Sequence, residues 1–444
     1  MLDSKFDSVI LGKNYLSLIF AILKIKASDQ SVLVLNDPDC SMGGLWHKNL
    51  GEIEKRVLYS IGKKYNVQSL KQIKNYLEPT NTLIKLDEIL IEFGQNPFSN
   101  IRELSRKIPE CFPITLIDTI ESYGEETFNK ACSQLLDDIT ENINLVGSKK
   151  DFHVSQPSLK IIFDQFLAFL DSKSIVSEQL HYVLQVLFQS YFSNLKDEDG
   201  SRYLLTSVMS PRFNLDIDTL MKDLNFEFKS LGGMITNACI SSIEVYKNQF
   251  QFVEFSTMDG IIKAHDLYFF TKLREDIDLK EQLEPVEYKS ISMKAPLSHD
   301  ILGFYSNKLI IFSLKDNLGT DFPHFEMEIS SEGIMNVRYS FASELGTKPS
   351  FFYKKAANSV FNSLTFFFPG LDKEEFLSQV EFGIGDSFWY QVLPNNKKAF
   401  IRNASNSSLY SKETGSKIEN THNFSHSRVQ SMGLYSYLWE IEQL

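Results

Sequence analysis

The stretch Phe6-Asp7-Ser8-Val9-Ile10-Leu11-Gly12, then the apolar-periodic run Lys13 to Ala27, then Ser31-Val32-Leu33-Val34-Leu35-Asn36, decides how this chain folds. Val9–Leu11 and Val32–Leu35 are unbroken aliphatic runs, the mark of strands buried on both faces. The run between them has the length and spacing of a helix. Gly12 supplies the tight turn that joins strand to helix. Strand, turn, helix and second strand at this spacing make the opening βαβ unit of a dinucleotide-binding fold, whose turn faces a pyrophosphate. Met42-Gly43-Gly44 follows the second strand.

The fingerprint of such a turn is G-x-G-x-x-G, and this chain has Gly12, Asn14 and Ser17 at the three positions. The second glycine normally lets the backbone approach the pyrophosphate, so Asn14 places a side chain where a phosphate would sit. Asn tolerates positive φ better than most residues, and on that ground the turn is expected to survive. Ser17 adds only a small side chain. The strand-end acid that would hold ribose hydroxyls is replaced by Asn36, which hydrogen-bonds without charge. One fingerprint glycine is kept, and neutral polar residues stand at the other positions.

A chain of 444 residues exceeds what one hydrophobic core serves, so two or three domains are expected. A net charge of −12 argues against a nucleic-acid-binding face. No segment reaches the roughly 18 uninterrupted apolar residues of a membrane span. Asp3 and Asp7 bracket an N-terminus without the features of a signal peptide. Cys40, Cys111, Cys132 and Cys239 lie far apart with no metal-ligating spacing, the pattern of free thiols in a cytoplasmic protein. His422 and His426 are the one i, i+4 histidine pair, and nothing nearby completes a metal site. The 36 Phe, with runs at Phe351-Phe352 and Phe366-Phe367-Phe368, read as a Phe-rich core or, alternatively, as the lining of a site for a greasy ligand.

Further along, residues 52–66 have helical periodicity, and 67–200 read as mostly helical, with runs at Glu126–Ile143, Pro157–Leu170 and Ser177–Leu195. Pro79, Pro97, Pro109 and Pro113 read as breakers, and Gly147–Lys150 and Lys196–Gly200 as polar loops. Leu220–Phe228 reads as a helix. It precedes Leu231-Gly232-Gly233-Met234-Ile235 and Ile240-Ser241-Ser242-Ile243. Phe250–Ser256 and Ile261–Ala264 alternate as hairpin strands around Asp259-Gly260. Asp266–Thr271 reads as a buried strand. Ile310–Leu314, Phe325–Ile329 and Met335–Phe341 have strand character, and Asp372 is placed to cap a helix over 372–380. A last helix is expected from about Ser427 to Glu442.

The βαβ opening together with this downstream order resembles the FAD-dependent amine oxidase and phytoene desaturase superfamily, whose relatives include UDP-galactopyranose mutase and the non-enzymatic Rab GDP-dissociation inhibitors. There the order is helix, L-G-G-x-I, V-x-x-I, a hairpin with D-G, then A-D-x-V-V; here the last element is Ala264-His265-Asp266-Leu267-Tyr268. The resemblance implies an α/β fold (α+β overall). A Rossmann-like FAD/NAD(P)-binding domain would be assembled from 1–66, 201–275 and 401–444. A helical insertion would cover 67–200, and a second, mixed-sheet substrate domain 276–400.

It also implies FAD, held by Gly12, Lys13, Asn14 and Tyr15 in the turn and Asn36 at the strand end. Gly43, Gly44 and Leu45 would follow, Leu45 standing where the family has an arginine. Ile240 would clamp the adenine through its backbone, and Ser427, Arg428 and Val429 would start the closing helix. The family's Gly-Asp pair before that helix is missing, leaving Asn423 or Ser425 to substitute. No catalytic residue stands out, and His47 beside Trp46 reads as packing. Two functions follow: an FAD-dependent oxidoreductase acting on an apolar or amine-bearing small molecule, or a flavin-fold protein that has lost FAD and binds a protein or lipid partner.

Overall fold

The computed structural model describes residues 4–36, 49–86, 89–107, 109, 114–141, 211–238, 240–246, 249–255, 261–271, 279–280, 285–296, 305, 308–313, 324–329, 333–342, 349–392, 398–399 and 409–423. The opening unit is strand β1 (Ser4–Leu11), helix α1 (Tyr15–Ser28) and strand β2 (Val32–Asn36). Every residue of α1 from Tyr15 to Leu23 is buried, because the helix lies on the sheet and other elements cover its outer side. Asp29, left-handed at φ 51°, ends it, and its amide donates to the Ile25 carbonyl.

Strand β3 (Asn49–Gly51) leads directly into α2 (Glu52–Lys64), whose acids Glu52 and Glu54 in the first turn and bases Lys63 and Lys64 in the last suit the helix dipole. After the short α3 (Gln68–Lys71) come β4 (Leu77–Leu86) and β5 (Ile89–Phe93), an antiparallel hairpin. Helices α4 (Pro97–Lys107), α5 (Ile114–Tyr123) and α6 (Glu125–Glu141) follow. Next are β6 (Arg212–Leu215), α7 (Ile217–Ser230), β7 (Met234–Asn237), β8 (Ile240–Tyr246), β9 (Gln249–Phe255) and β10 (Ile261–Phe269).

The remaining elements begin with β11 (Leu279–Lys280), β12 (Pro285–Pro296), β13 (Lys308–Ser313), β14 (His324–Ile329) and β15 (Ile334–Ala342). Helices α8 (Pro349–Phe367) and α9 (Lys373–Gln379) separate these from β16 (Glu381–Val392) and β17 (Lys398–Ala399). Strands β18 (Leu409–Ser411), β19 (Lys417–Ile418) and β20 (Thr421–Asn423) come last.

Among the described residues these strands form two large sheets. One runs β7-β2-β1-β10-β9-β8, with β20 also on β10. Its β7, β2, β1, β10 and β20 are mutually parallel, the arrangement of a Rossmann-like α/β fold. One edge of β10 is shared: Ile261–Lys263 pairs with β9 and Leu267–Phe269 with β20. The other sheet runs β17-β16-β12-β15-β14-β13-β4-β6-β3, with β5 on β4, and is mixed through the parallel β13–β4 pair. A small β11-β18-β19 sheet stands apart.

A continuous core links the two large sheets. It gathers Ile10, Val34 and Tyr268 from the parallel sheet, most of α1, Val57 and Ile61 of α2, Ile84 and Ile91 of the hairpin, and Leu224 and Phe228 of α7. A second core lies under α8 and α9 (Val360, Leu364, Phe376) against Met293, Ile310 and Met327. A third covers the other face of the parallel sheet, with Leu11, Leu35 and Phe269.

Several local expectations change. Within the 67–200 region read as mostly helical, β4 and β5 are strands of the mixed sheet, and β3 and β6 on either side of that region join the sheet as well. Their apolar spacing is ambiguous in isolation, and cross-strand pairing settled it. Pro97 begins a helix rather than breaking one, since the first helical position has no use for the missing N–H. The expected Ile261–Ala264 and Asp266–Thr271 strands are one strand, β10. The Leu220–Phe228 helix extends to Ile217–Ser230, because the Asp216 side chain caps it by accepting from the Thr219 amide at 3.1 Å. Asp372 caps α9 as expected, accepting from the Glu375 amide at 2.8 Å. The expected helices over 157–170, 177–195 and 427–442, and the Asp259-Gly260 turn, lie outside the described residues.

Candidate functional site

The site expected from the sequence is at the carboxyl ends of β1, β2 and β10. Gly12 has φ +100°, a conformation that disfavours any side chain. Its amide donates to the Leu35 carbonyl at 2.8 Å, and the Phe270 amide donates to the Leu11 carbonyl at 2.7 Å. A Cβ at Gly12 would stand 2.2 Å from Cγ2 of Thr271 and 3.1 Å from the Phe270 carbonyl carbon. The chain's own crossing at the end of β10 therefore demands this glycine. Lys13, half-buried, follows it.

The turn survives, but not through positive φ at Asn14: Asn14 is extended, at φ −136° and ψ 174°, and serves as the N-cap of α1. Its Oδ1 accepts from the Ser17 amide at 2.8 Å, and its own amide donates to Ser17 Oγ at 2.9 Å. Ser17 Oγ in turn donates to the Asn14 carbonyl at 2.8 Å. This is a reciprocal capping box. Asn14 Nδ2 also donates to the Phe270 carbonyl at 3.3 Å, pinning the helix end to β10. A diphosphate at such a helix end is held by exposed first-turn amides. Here side chains already engage the Asn14 and Ser17 amides, and the Asn14 side chain occupies the approach. With two of these amides engaged within the chain, the donor set fits a diphosphate poorly. Ser17, completely buried, is part of the lock rather than a mere small substitute.

At the ribose end, Asn36 Nδ2 donates to Asn237 Oδ1 at 2.9 Å, joining the ends of neighbouring parallel strands. Nothing in the sequence singled out Asn237; only the strand register brings it opposite Asn36. Ile240 is buried in the third core and pairs with Phe255 as β8 begins. Gly43, Gly44, Leu45, Trp46 and His47, and Ser427, Arg428 and Val429, lie outside the described residues. Strand β20 does place Asn423 beside Phe269, at the same edge of the parallel sheet as Gly12.

Tyr15 starts α1 but is 5% exposed, so it belongs to the core. Burial raises its hydroxyl well above the usual tyrosine range, and the charge of Glu54 adds to this. Burial also raises the Glu54 carboxyl, against the lowering pull of its own and Gly51's backbone groups and of Arg212. Glu54 was not among the expected site residues; an acid in a helix's first turn signals only dipole compensation.

His422 stacks on Tyr268 with ring centroids 4.7 Å apart. Burial brings it down to about 4, with Asp266 opposing and Lys24 assisting. His426 lies outside the described residues, among which no group of three metal-ligating side chains occurs. Cys132 is a buried free thiol, pushed up to about 12 by burial. No described helix is long and apolar enough to cross a membrane.

No protein-family model matches the chain, and no curated protein matches it. Solved structures do. The Rab GDI of Plasmodium falciparum is similar over 99% of this chain and 98% of its own, at 12% identity and a TM-score of 0.53. The p-nitrophenol 4-monooxygenase PnpA of Pseudomonas putida DLL-E4 matches over 100% of this chain and 78% of its own, at 8% identity and a TM-score of 0.49. Peptidyl tryptophan dihydroxylase QhpG matches over 88% of this chain, which spans only 58% of that protein, at 8% identity and a TM-score of 0.42. At 12% identity the likeness to the Rab GDI is one of fold, and it supports the Rossmann-like reading.

Proposed function

We propose that this chain is a non-catalytic protein on a flavin-binding fold, one that has lost the cofactor and works by binding a protein or lipid partner. The observation that carries this reading is the reciprocal Asn14–Ser17 cap. It engages within the chain two of the amides that a diphosphate would otherwise draw on, those of Asn14 and Ser17, and the Asn36–Asn237 bond commits the Asn36 Nδ2 donor at the ribose end. The end-to-end fold likeness to a Rab GDI agrees with it. In this reading the nucleotide-fold part comprises 1–66, 201–275 and 401–444, although β3 and β6 hydrogen-bond within the mixed sheet.

The second reading is a flavin-dependent oxidoreductase acting on an apolar or amine-bearing small molecule. The retained Gly12 bend and the parallel strands around it favour it. Gly12, Lys13, Asn14, Tyr15 and Asn36 would then lie along FAD.

Reconstitution separates the two. The purified chain, incubated with FAD and desalted, is expected to stay colourless. The Asn14→Gly, Ser17→Gly double variant, which exposes the helix end, is expected to retain more flavin if the cap is what excludes it. One flavin retained per wild-type chain would defeat the non-catalytic reading.

A further inference from the structure

Between Glu54 and Glu78 the chain carries Lys55, Arg56, Lys63, Lys64, Lys71 and Lys74 and no acidic residue, although its net charge is −12. Lys55 and Arg56 are engaged by Glu52 at the start of α2. At the other end of that helix a basic corner forms. Asn66, left-handed at φ 56°, turns the chain from α2 toward α3 and draws lysines from two elements. Its carbonyl accepts from Lys26 Nζ of α1, and its Oδ1 accepts from Lys71 Nζ at the end of α3. Gly62 lets α2 and α3 approach closely: a Cβ there would stand 2.7 Å from the Lys71 amide nitrogen. Lys63 and Lys64, both exposed, lie in the last turn of α2.

Lys63 Nζ stands 4.5 Å from the centre of the Tyr59 ring, and Lys64 Nζ 5.1 Å from that of Tyr65. A tyrosine face and an amide oxygen are neutral partners, so they leave the charges of Lys63 and Lys71 in place. Lys26 is offset by Glu227 at 2.8 Å. Glu227 also accepts from the Gln68 and Ser69 amides of α3, which brings this part of α7 to the same corner. The residue before it, Phe226, is the most exposed large apolar side chain among the described residues, at 77%. A single exposed phenylalanine is ordinary on its own. Here it stands beside lysines supplied by α2 and α3.

We infer that this corner, with Lys63, Lys64 and Lys71 beside Phe226, docks the protein on an anionic lipid bilayer. The inference rests on the partner-binding reading and names a lipid surface as the partner. Lysine is a hydrated point charge without the planar fork that arginine offers to a single carboxylate, and it is depleted in protein–protein interfaces. Ammonium groups spread over a corner suit a diffuse layer of headgroup charge instead. A phenylalanine enters the boundary between headgroups and acyl chains, and tyrosine rings sit at headgroup level. The overall charge of −12 is repelled by the same surface, so docking is oriented, with the basic corner toward lipid.

Cosedimentation of the full chain with vesicles tests this, using phosphatidylcholine alone and equal parts phosphatidylcholine and phosphatidylserine. Wild type should bind the phosphatidylserine vesicles, bind phosphatidylcholine far more weakly, and be released by added salt. The Lys63→Gln, Lys64→Gln double variant should lose about fivefold in partitioning for each lysine removed. Phe226→Ala should lose about tenfold. Both variants change exposed side chains, and thermal unfolding beside wild type checks that they fold. Lys354→Gln, Lys355→Gln, the same charge change at exposed positions on α8, should bind as wild type does. Equal loss in that control, equal binding to both vesicles, or binding to neither would overturn the docking corner. Binding to polyglutamate with none to vesicles would overturn it in favour of an acidic protein partner. The two failures are distinct: flavin retention defeats the non-catalytic reading, whereas absent vesicle binding defeats only the lipid partner.

Discussion

Gly12 and Asn14 show how differently two adjacent fingerprint positions can be used. Gly12 is demanded by backbone geometry, with φ +100° and Thr271 at 2.2 Å from an added Cβ. Gly12→Ala is therefore expected to cost about 2 kcal/mol or more, since a strained φ and a clash act together; urea unfolding would measure it, and a loss within error would contradict the geometry. Asn14→Ala removes the cap and should cost about 1 kcal/mol. Asn14→Ser, which keeps an oxygen at the cap, should recover most of that in the same measurement. The glycine was legible because positive φ leaves few alternatives. The cap was not, because the same asparagine suits either a left-handed turn or an extended N-cap, and only the position of Ser17 and Phe270 decides.

At the scale of elements, one side chain ties α7 to two others. Glu227 accepts from Lys26 Nζ at 2.8 Å on α1, from the Gln68 and Ser69 amides at 3.0 and 3.1 Å at the start of α3, and from Ser69 Oγ at 3.0 Å. Burial alone would raise its carboxyl, but the bonds from Lys26, Ser69 and Gln68 outweigh that and hold it below the usual value. A depressed carboxylate stabilises above the unfolded value of 4.5 and loses that contribution as pH falls through the folded one. Glu227→Gln should thus narrow the stability gap to wild type on acidification. Near neutral pH it should cost about 1–2 kcal/mol, solvent at the ion pair keeping the figure modest. A gap constant with pH would show that Glu227 titrates alike in folded and unfolded chains. The helices meeting here were readable from apolar spacing; their joint anchor was not, since it pairs residues 201 and 159 positions apart.

For the whole molecule, the Phe side chains among the described residues lie mostly in core. Phe20, Phe128, Phe228, Phe269 and Phe270 are fully buried, whereas Phe226 is 77% exposed. Phe128→Ala, in the core that links the sheets, is expected to cost about 3–5 kcal/mol, and Phe226→Ala to stay within about 0.5 kcal/mol of wild type. Equal losses in denaturant titration would mean that the cores are drawn wrongly. By itself the sequence determined the βαβ opening, the glycine at its bend and the order of elements from α7 through β10, because unbroken aliphatic runs, helical periodicity and turn glycines are local signals. Tertiary structure alone decided that β3–β6 build a mixed sheet with the later strands, and that Asn14 locks to Ser17 and Asn36 to Asn237. Those outcomes depend on which distant segments are brought into register, and hydrophobic pattern is indifferent to that until the chain has packed.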